Sequence, residues 1–310
     1  MLDLIRKYYT LTLKGVAMGA ADVVPGVSGG TIAFISGIYE ELIDTIRSID
    51  AKAVKILFKE GIPAFWKHIN GWFLVFLLAG IAISILSLSR IILFLLTDYP
   101  QLVWSFFFGL VIASAIYVGS TIKQYNWQTL LSGIAGIAIA YAITIASPAE
   151  GPKTTWFVFI TGSVAICAMI LPGISGSFIL LLMGMYEYVL GAIHEMKLSV
   201  IITFIAGAGI GIISFSHLLS WLLKRYHDIT IALLAGFMVG SLNKVWPWKE
   251  VISSKIIDGE EKVLKEANLL PGAFLEKTGN EPQLILCILL MIIGFILIFS
   301  LERLARKQPK

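Results

Sequence analysis

Charge is what this sequence has least of: Asp, Glu, Lys and Arg make up only 14% of its 310 residues, while 57% are hydrophobic. Soluble domains carry about 25% charged residues, and a chain this apolar cannot cover its surface with polar groups, so water is excluded as its main solvent. An all-α polytopic membrane protein is expected, with room for roughly six to eight segments of about 20 residues and none for a separate soluble enzyme module. Cysteine is nearly absent too. Cys167 and Cys287 lie in apolar runs, away from any CxxC or Cys/His cluster, which leaves neither a disulfide framework nor a zinc site. No cofactor or metal is expected. The net charge of +4 is small, and the basic residues are dispersed between apolar stretches, which argues against nucleic acid as a partner. Arg6 and Lys7 ahead of the small residues Ala17 to Ala21 imitate a signal peptide, but the same stretch recurs in mid-chain, so processing is not expected.

That recurrence organises the chain. A shift of 147 places Gly15 to Ile46 on Gly162 to Ile193 with eleven of thirty-two positions identical, among them Pro25/Pro172, Gly26/Gly173, Ser28/Ser175, Gly29/Gly176, Gly37/Gly184, Tyr39/Tyr186 and Glu40/Glu187. A second block matches at a shift of 127, where Ser87 to Arg90 meets Ser214 to His217, followed by Tyr99/Tyr226, Gly109/Gly236 and Ser114/Ser241. Two homologous halves are therefore expected at 1–126 and 150–250, the internal repetition of secondary transporters.

Uninterrupted apolar segments at 71–97, 100–120, 127–147, 198–223, 228–246 and 284–302 are each long enough to span a bilayer. The motif regions differ, because Pro25 to Gly30 and Pro172 to Ser177 interrupt each of them midway. Proline removes a donor and glycine loosens the helix, so two half-helices of roughly 13 to 16 residues are expected on either side. Re-entrant hairpins at about 11–46 and 155–195 fit these lengths, since irregular backbone at membrane depth is tolerated only where it is buried or lines a cavity. Three crossings then separate equivalent points, which inverts the second half relative to the first. The remaining pieces are a linking helix at 127–149, an extracytoplasmic loop at 251–283, and a last helix with a basic tail at 284–310. Sorted by side, fifteen Lys and Arg fall with the N-terminus, Lys14 among them, and eight fall opposite, so both termini are expected in the cytoplasm. Lys52 to His68 reads as a basic amphipathic segment on the inner leaflet.

Only Arg90 is left inside a membrane helix by this sorting. It either snorkels to an interface, pairs with Asp22, or binds an anion, because guanidinium matches phosphate or carboxylate bidentately. His217 holds the equivalent position in the second half, as an anion ligand, proton relay or packing residue. In each break, Ser28-Gly29-Gly30-Thr31 or Ser175-Gly176-Ser177 opens the following half-helix, where free N–H groups and hydroxyls make an anion site. Tight helix packing by small residues is the other reading. Asp22 has Met169 as its counterpart and is a proton-coupling or Arg90-pairing candidate; Glu40 and Glu187 fall near an interface as anchors or gates. Gly26 to Gly29 and Gly173 to Gly176 also match the GxSG serine signature of intramembrane proteases, but a nucleophile is needed once and the motif occurs twice.

Lys14-Gly-Val-Ala-Met-Gly-Ala-Ala-Asp-Val-Val-Pro-Gly-Val-Ser-Gly-Gly-Thr31, its degenerate copy Ile170-Leu-Pro-Gly-Ile-Ser-Gly-Ser177 and the chain length together resemble the PopT-type polyprenyl-phosphate transporters of bacteria. The resemblance covers nearly the whole chain. It implies a flippase of the plasma membrane, not an enzyme, that returns undecaprenyl phosphate from the outer to the inner leaflet for peptidoglycan synthesis. The lipid phosphate would sit between the half-helix ends and Arg90, with Asp22 or His217 coupling protons and the inverted halves rocking around it. A transporter of a small soluble anion on the same repeat is the rival reading.

Overall fold

The computed structural model describes residues 2–24, 27–257 and 260–306. The chain is predominantly helical. The first half runs α1 (Leu2–Val23), α2 (Gly29–Ile35), α3 (Tyr39–Arg47), α4 (Ala51–Glu60), α5 (Ile62–His68), α6 (Gly71–Ser87), α7 (Ser89–Asp98) and α8 (Pro100–Ser120), followed by α9 (Trp127–Ile145). The second runs α10 (Thr155–Ile170), α11 (Gly176–Leu182), α12 (Tyr186–His194), α13 (Leu198–Arg225) and α14 (His227–Ser241). An antiparallel pair, β1 (Lys249–Ile257) and β2 (Glu260–Asn268), leads to α15 (Pro271–Thr278) and α16 (Leu284–Arg306).

Both motif regions break where the sequence suggests. Pro25 and Gly26 lie outside the described residues, but α2 starts just beyond them with Ser28 as its N-cap. In the second region Leu171, which precedes Pro172, is extended at φ −69°, ψ 128° and ends α10, as the clash of a proline ring with the preceding residue requires. The arms after the breaks differ from expectation. Each first piece is only 7 residues long. The chain turns again at Gly37 (φ 72°) and Gly184 (φ 65°), left-handed conformations that penalise a side chain. α11 and α12 meet at 109°. Each motif region therefore has three helical pieces, with pieces of 7 and 9 residues after the break where one half-helix of roughly 13 to 16 is expected.

The pieces recur in register. Adding 147 to the bounds of α2 and α3 gives those of α11 and α12, and adding 127 to Gly71, Asp98 and Pro100 gives Leu198, Arg225 and His227. Packing recurs as well. α1 crosses α6 with Gly15 against Leu77 and Gly80 against Thr12, while α10 crosses α13 with Gly162 against Phe204 and Gly207 against Phe159, the same positions after the shifts. Glycine at such crossings lets helix backbones touch, which drives association where lipid removes the hydrophobic contribution. α9 packs on α14 through Gly136 and Gly236, and α16 packs on α8 through Gly294 and Gly109. The helix that follows each half in sequence thus covers the other half.

Among the described residues three helices, α8, α9 and α13, are long and apolar enough to cross a membrane, or five if the bent pairs α5–α6 and α11–α12 each count as one. The expected span 71–97 is divided at Leu88. Ser87 Oγ and Ser89 Oγ on either side donate back to the carbonyls of Ile83 and Ile85, a pattern that bends helices. The span at 228–246 stops at Ser241.

Two surface features complete the frame. α4 is capped by Asp50, whose Oδ1 accepts from Ala53 N at 2.9 Å, and α4 and α5 expose Val54, Phe58 and Ile62. The segment 251–283, expected as an extracytoplasmic loop, carries most of β1, with β2 and α15, and is pinned by Trp246 Nε1 on Leu269 O and Trp248 Nε1 on Pro282 O, both 2.8 Å.

Candidate functional site

The two breaks, far apart in sequence, are hydrogen-bonded to each other. Ser28 Oγ donates to Met169 O at 3.0 Å, and the buried Tyr39 hydroxyl donates to Ile170 O at 3.2 Å. In the opposite direction Gly173 N donates to Thr31 Oγ1 at 3.1 Å. Gly30 makes this approach possible, since a Cβ there would lie 2.5 Å from Ile170 O. Ser28, Thr31 and Ser175 are buried at this crossing. Burial of so many polar groups is tolerated because each break supplies the other's donors and acceptors.

The two ends are filled differently. At α2, Asp22 Oδ1 accepts from Gly29 N at 2.7 Å and Ser28 Oγ accepts from Gly30 N at 3.1 Å, so a carboxylate already occupies the anion position of the helix end. At α11 the corresponding slot holds Met169. A Cβ on Gly29 would lie 2.6 Å from Asp22 Oδ2, and one on Gly176 would lie 2.6 Å from Met169 Cγ, which identifies the two side chains as geometric equivalents. No side chain caps α11: Ser175 Oγ bonds instead to Ser177 Oγ at 2.9 Å. A thioether is only a weak acceptor, so the second end keeps its polarity for another partner.

The remaining candidates stand apart from this crossing. Arg90 is exposed in the first turn of α7, and no ion pair joins it to Asp22 among the described residues. His217 is exposed on α13, with Nδ1 2.9 Å from Ile213 O of its own helix. It lies near Asp50, whose carboxyl is held below the ordinary range chiefly by the Ala53 N–H, with the charges of His68 and His217 adding to the effect. Glu40 is exposed with Oε1 3.8 Å from His227 Nε2 at the start of α14, and Glu187 is exposed at the start of α12. The proton of Ser28 goes to a peptide oxygen, not to a histidine, so the serine and base of the protease reading are not assembled.

Several contributors have bonding roles that the sequence pattern does not show. Lys14 sits within α1 and donates to Ser36 O at 2.7 Å, tying α1 to the end of α2. Asp44 of α3 accepts from Ser220 Oγ at 2.7 Å and from Lys224 Nζ at 2.8 Å, tying the first hairpin to α13. Tyr39 was visible only as a repeated residue.

A largely apolar helical chain, with two interlocked helix breaks facing each other, has the architecture of a membrane transport protein. The chain belongs to the VCA0040-like family, described as undecaprenyl phosphate translocase-like, whose family model matches residues 18–262. It is 48% identical over 301 residues to the polyprenyl-phosphate transporter of Vibrio cholerae serotype O1, covering 97% of this chain and 98% of that one. It is 36% identical over 256 residues to the polyprenyl-phosphate transporter of Staphylococcus aureus, covering 76% and 85%. No solved structure matches.

Proposed function

We propose that this chain moves a polyprenyl phosphate across the bacterial plasma membrane, returning undecaprenyl phosphate from the outer to the inner leaflet for cell-wall synthesis. The observation that carries the reading is the asymmetry of the crossed breaks: Asp22 bonded to Gly29 N on one side and Met169 against Gly176 on the other. A phosphate monoester at the α11 end supplies what the Asp22 carboxylate supplies at α2, with the Ser175 and Ser177 hydroxyls as further donors. The prenyl tail stays in lipid. Protonation of Asp22 frees Gly29 N for a second phosphate oxygen, which couples a proton to the lipid. Ser28, Gly30 and Thr31 hold the crossing together, and Arg90, on the exposed surface of α7, meets the phosphate as it enters or leaves.

The halves 1–126 and 150–250 are read as inverted repeats with re-entrant hairpins and six full crossings, joined by the helix at 127–149, with 251–283 outside the cell and both termini, including the tail of 284–310, in the cytoplasm. Recurrent element bounds and glycine crossings support the repeat, and the fifteen-to-eight bias of basic residues supports the orientation. Rocking of one half against the other exposes the site alternately, with Glu40 and Glu187 as gates and His217 as a second protonatable group. A flipping assay in proteoliposomes tests this: wild type moves polyprenyl phosphate, and the double variant Ser175→Ala, Ser177→Ala loses transport. Binding that ignores prenyl length and is matched by free phosphate overturns the lipid reading in favour of a soluble anion.

A further inference from the structure

Two cations that are largely covered lie outside the crossing. The side chains of Lys249 and Lys244 are 7% and 19% exposed, and both lean on Glu266, at 3.2 and 2.8 Å. Lys249 Nζ also stands 4.2 Å over the Trp104 ring, and Lys244 Nζ 4.9 Å over that of Phe178. Two ammonium groups share one carboxylate in a largely covered place, which leaves one positive charge in excess among the described residues. Such a charge is costly without a counter-ion. The cost is visible in Lys249, whose ammonium is pushed down to about 8 mainly by burial, while the neighbouring lysines hold the Glu266 carboxyl below its ordinary range against the opposing effect of burial.

Beside them opens a cavity of about 410 Å³ between the end of α9, α11 and β2, lined by Thr144, Phe178, Asn243, Lys244 and Lys265, with Glu266 at its wall. It adjoins the second break. Phe178 belongs to the first turn of α11, and Ser241, two residues before Asn243, packs against Gly173, where a Cβ would lie 2.7 Å from Ser241 Oγ.

We propose that this cavity is a binding site for a phosphate monoester, with Lys244 and Lys265 as its charge partners, placed at the mouth of the α11 end. The inference rests on the proposed function only for the prenyl tail; the head-group chemistry is read from the lysines. Phosphate accepts from both ammonium groups and neutralises the charge that Glu266 leaves over. In sequence these residues are loop lysines, and only the β-hairpin folds them onto the bundle.

The test is titration of the detergent-solubilised full chain, followed by Trp fluorescence, with farnesyl phosphate, inorganic phosphate and farnesol. Lys265→Gln, at an exposed position, should weaken both phosphate probes about tenfold, the loss of one charge-assisted bond. Farnesol binding should not change. Lys244→Gln should act alike where the variant folds, and raised salt should mimic both. Unchanged binding of both phosphates by Lys265→Gln overturns the site, even if the protein transports polyprenyl phosphate. Weakened phosphate binding in a protein that moves no lipid leaves the site standing and overturns only the transport reading. A gain from farnesyl over inorganic phosphate assigns the site to the lipid head group.

Discussion

Gly30→Ala probes the crossing directly. A Cβ at this position stands 2.5 Å from Ile170 O and 3.1 Å from its carbonyl carbon. A comfortable carbon–oxygen contact is about 3.3 Å or more, so one backbone must retreat by roughly 0.8 Å. Neither neighbour is a flexible side-chain end. Overpacking of this kind costs about 1–3 kcal/mol. The retreat also stretches the Tyr39 to Ile170 O and Ser28 to Met169 O bonds, each worth about 0.5–1.5 kcal/mol. A loss of about 2–6 kcal/mol results, or a Tm lower by roughly 3–9 °C for a chain of this size. Gly191→Ala is the control, because a Cβ there meets nothing within 4 Å and its helical backbone accepts alanine, which should be neutral or slightly stabilising. Thermal unfolding in detergent and flipping in proteoliposomes are read on both variants. A Gly30→Ala protein that melts and transports as wild type, or a Gly191→Ala protein equally damaged, refutes the argument that the breaks are locked backbone to backbone.

Other outcomes follow from the same geometry. Asp22→Asn keeps an oxygen for Gly29 N but cannot take up a proton, so transport should lose the part of its pH dependence that Asp22 supplies; Asp22→Ala should in addition cost about 0.5–2 kcal/mol of stability as a lost cap. Arg90→Ala should abolish flipping with Tm unchanged, since the side chain is exposed and makes no hydrogen bond or ion pair among the described residues. For the β-hairpin, Lys249 is more easily deprotonated folded, at about 8, than unfolded, at 10.5, so hairpin stability should rise as pH rises through that window. Glu266, depressed in the fold, contributes the opposite limb, with stability lost on acidification below its unfolded value of 4.5. Hydrogen exchange of β1 and β2 against pH checks both limbs.

Much of the fold is legible in the sequence because the repeat is written in residues with backbone meaning. Pro172 and the paired Gly-Ser steps mark breaks that the structure contains. Gly37 and Gly184 were equally plain as repeated residues, yet their left-handed turns are visible only once the φ angles are known. The division at Leu88 falls between serines whose hydroxyls bond back to their own helix, residues that read as ordinary small residues in an apolar run. That α9 and α16 exchange partners was hidden, because the contact is made by glycine positions without wider identity. The departures of the second copy make sense in space: Gly30 must be small because Ile170 O faces it, whereas Ser177 is exposed. Arg90 stands out through hydropathy alone, while the low exposure of Lys244 and Lys249 depends on β pairing that the sequence pattern does not reveal.

The central claim is that a phosphate takes, at α11, the place a carboxylate takes at α2. Met169→Asp places a carboxylate in that slot within the chain itself, and Met169→Leu keeps it empty of charge. A charge-assisted bond of about 1.5–3 kcal/mol makes the internal competitor worth about 10- to 150-fold in apparent affinity. In proteoliposomes loaded with polyprenyl phosphate, the account predicts that Met169→Leu flips the lipid like wild type and Met169→Asp loses at least about tenfold with its Tm preserved. Wild-type flipping by Met169→Asp would contradict it.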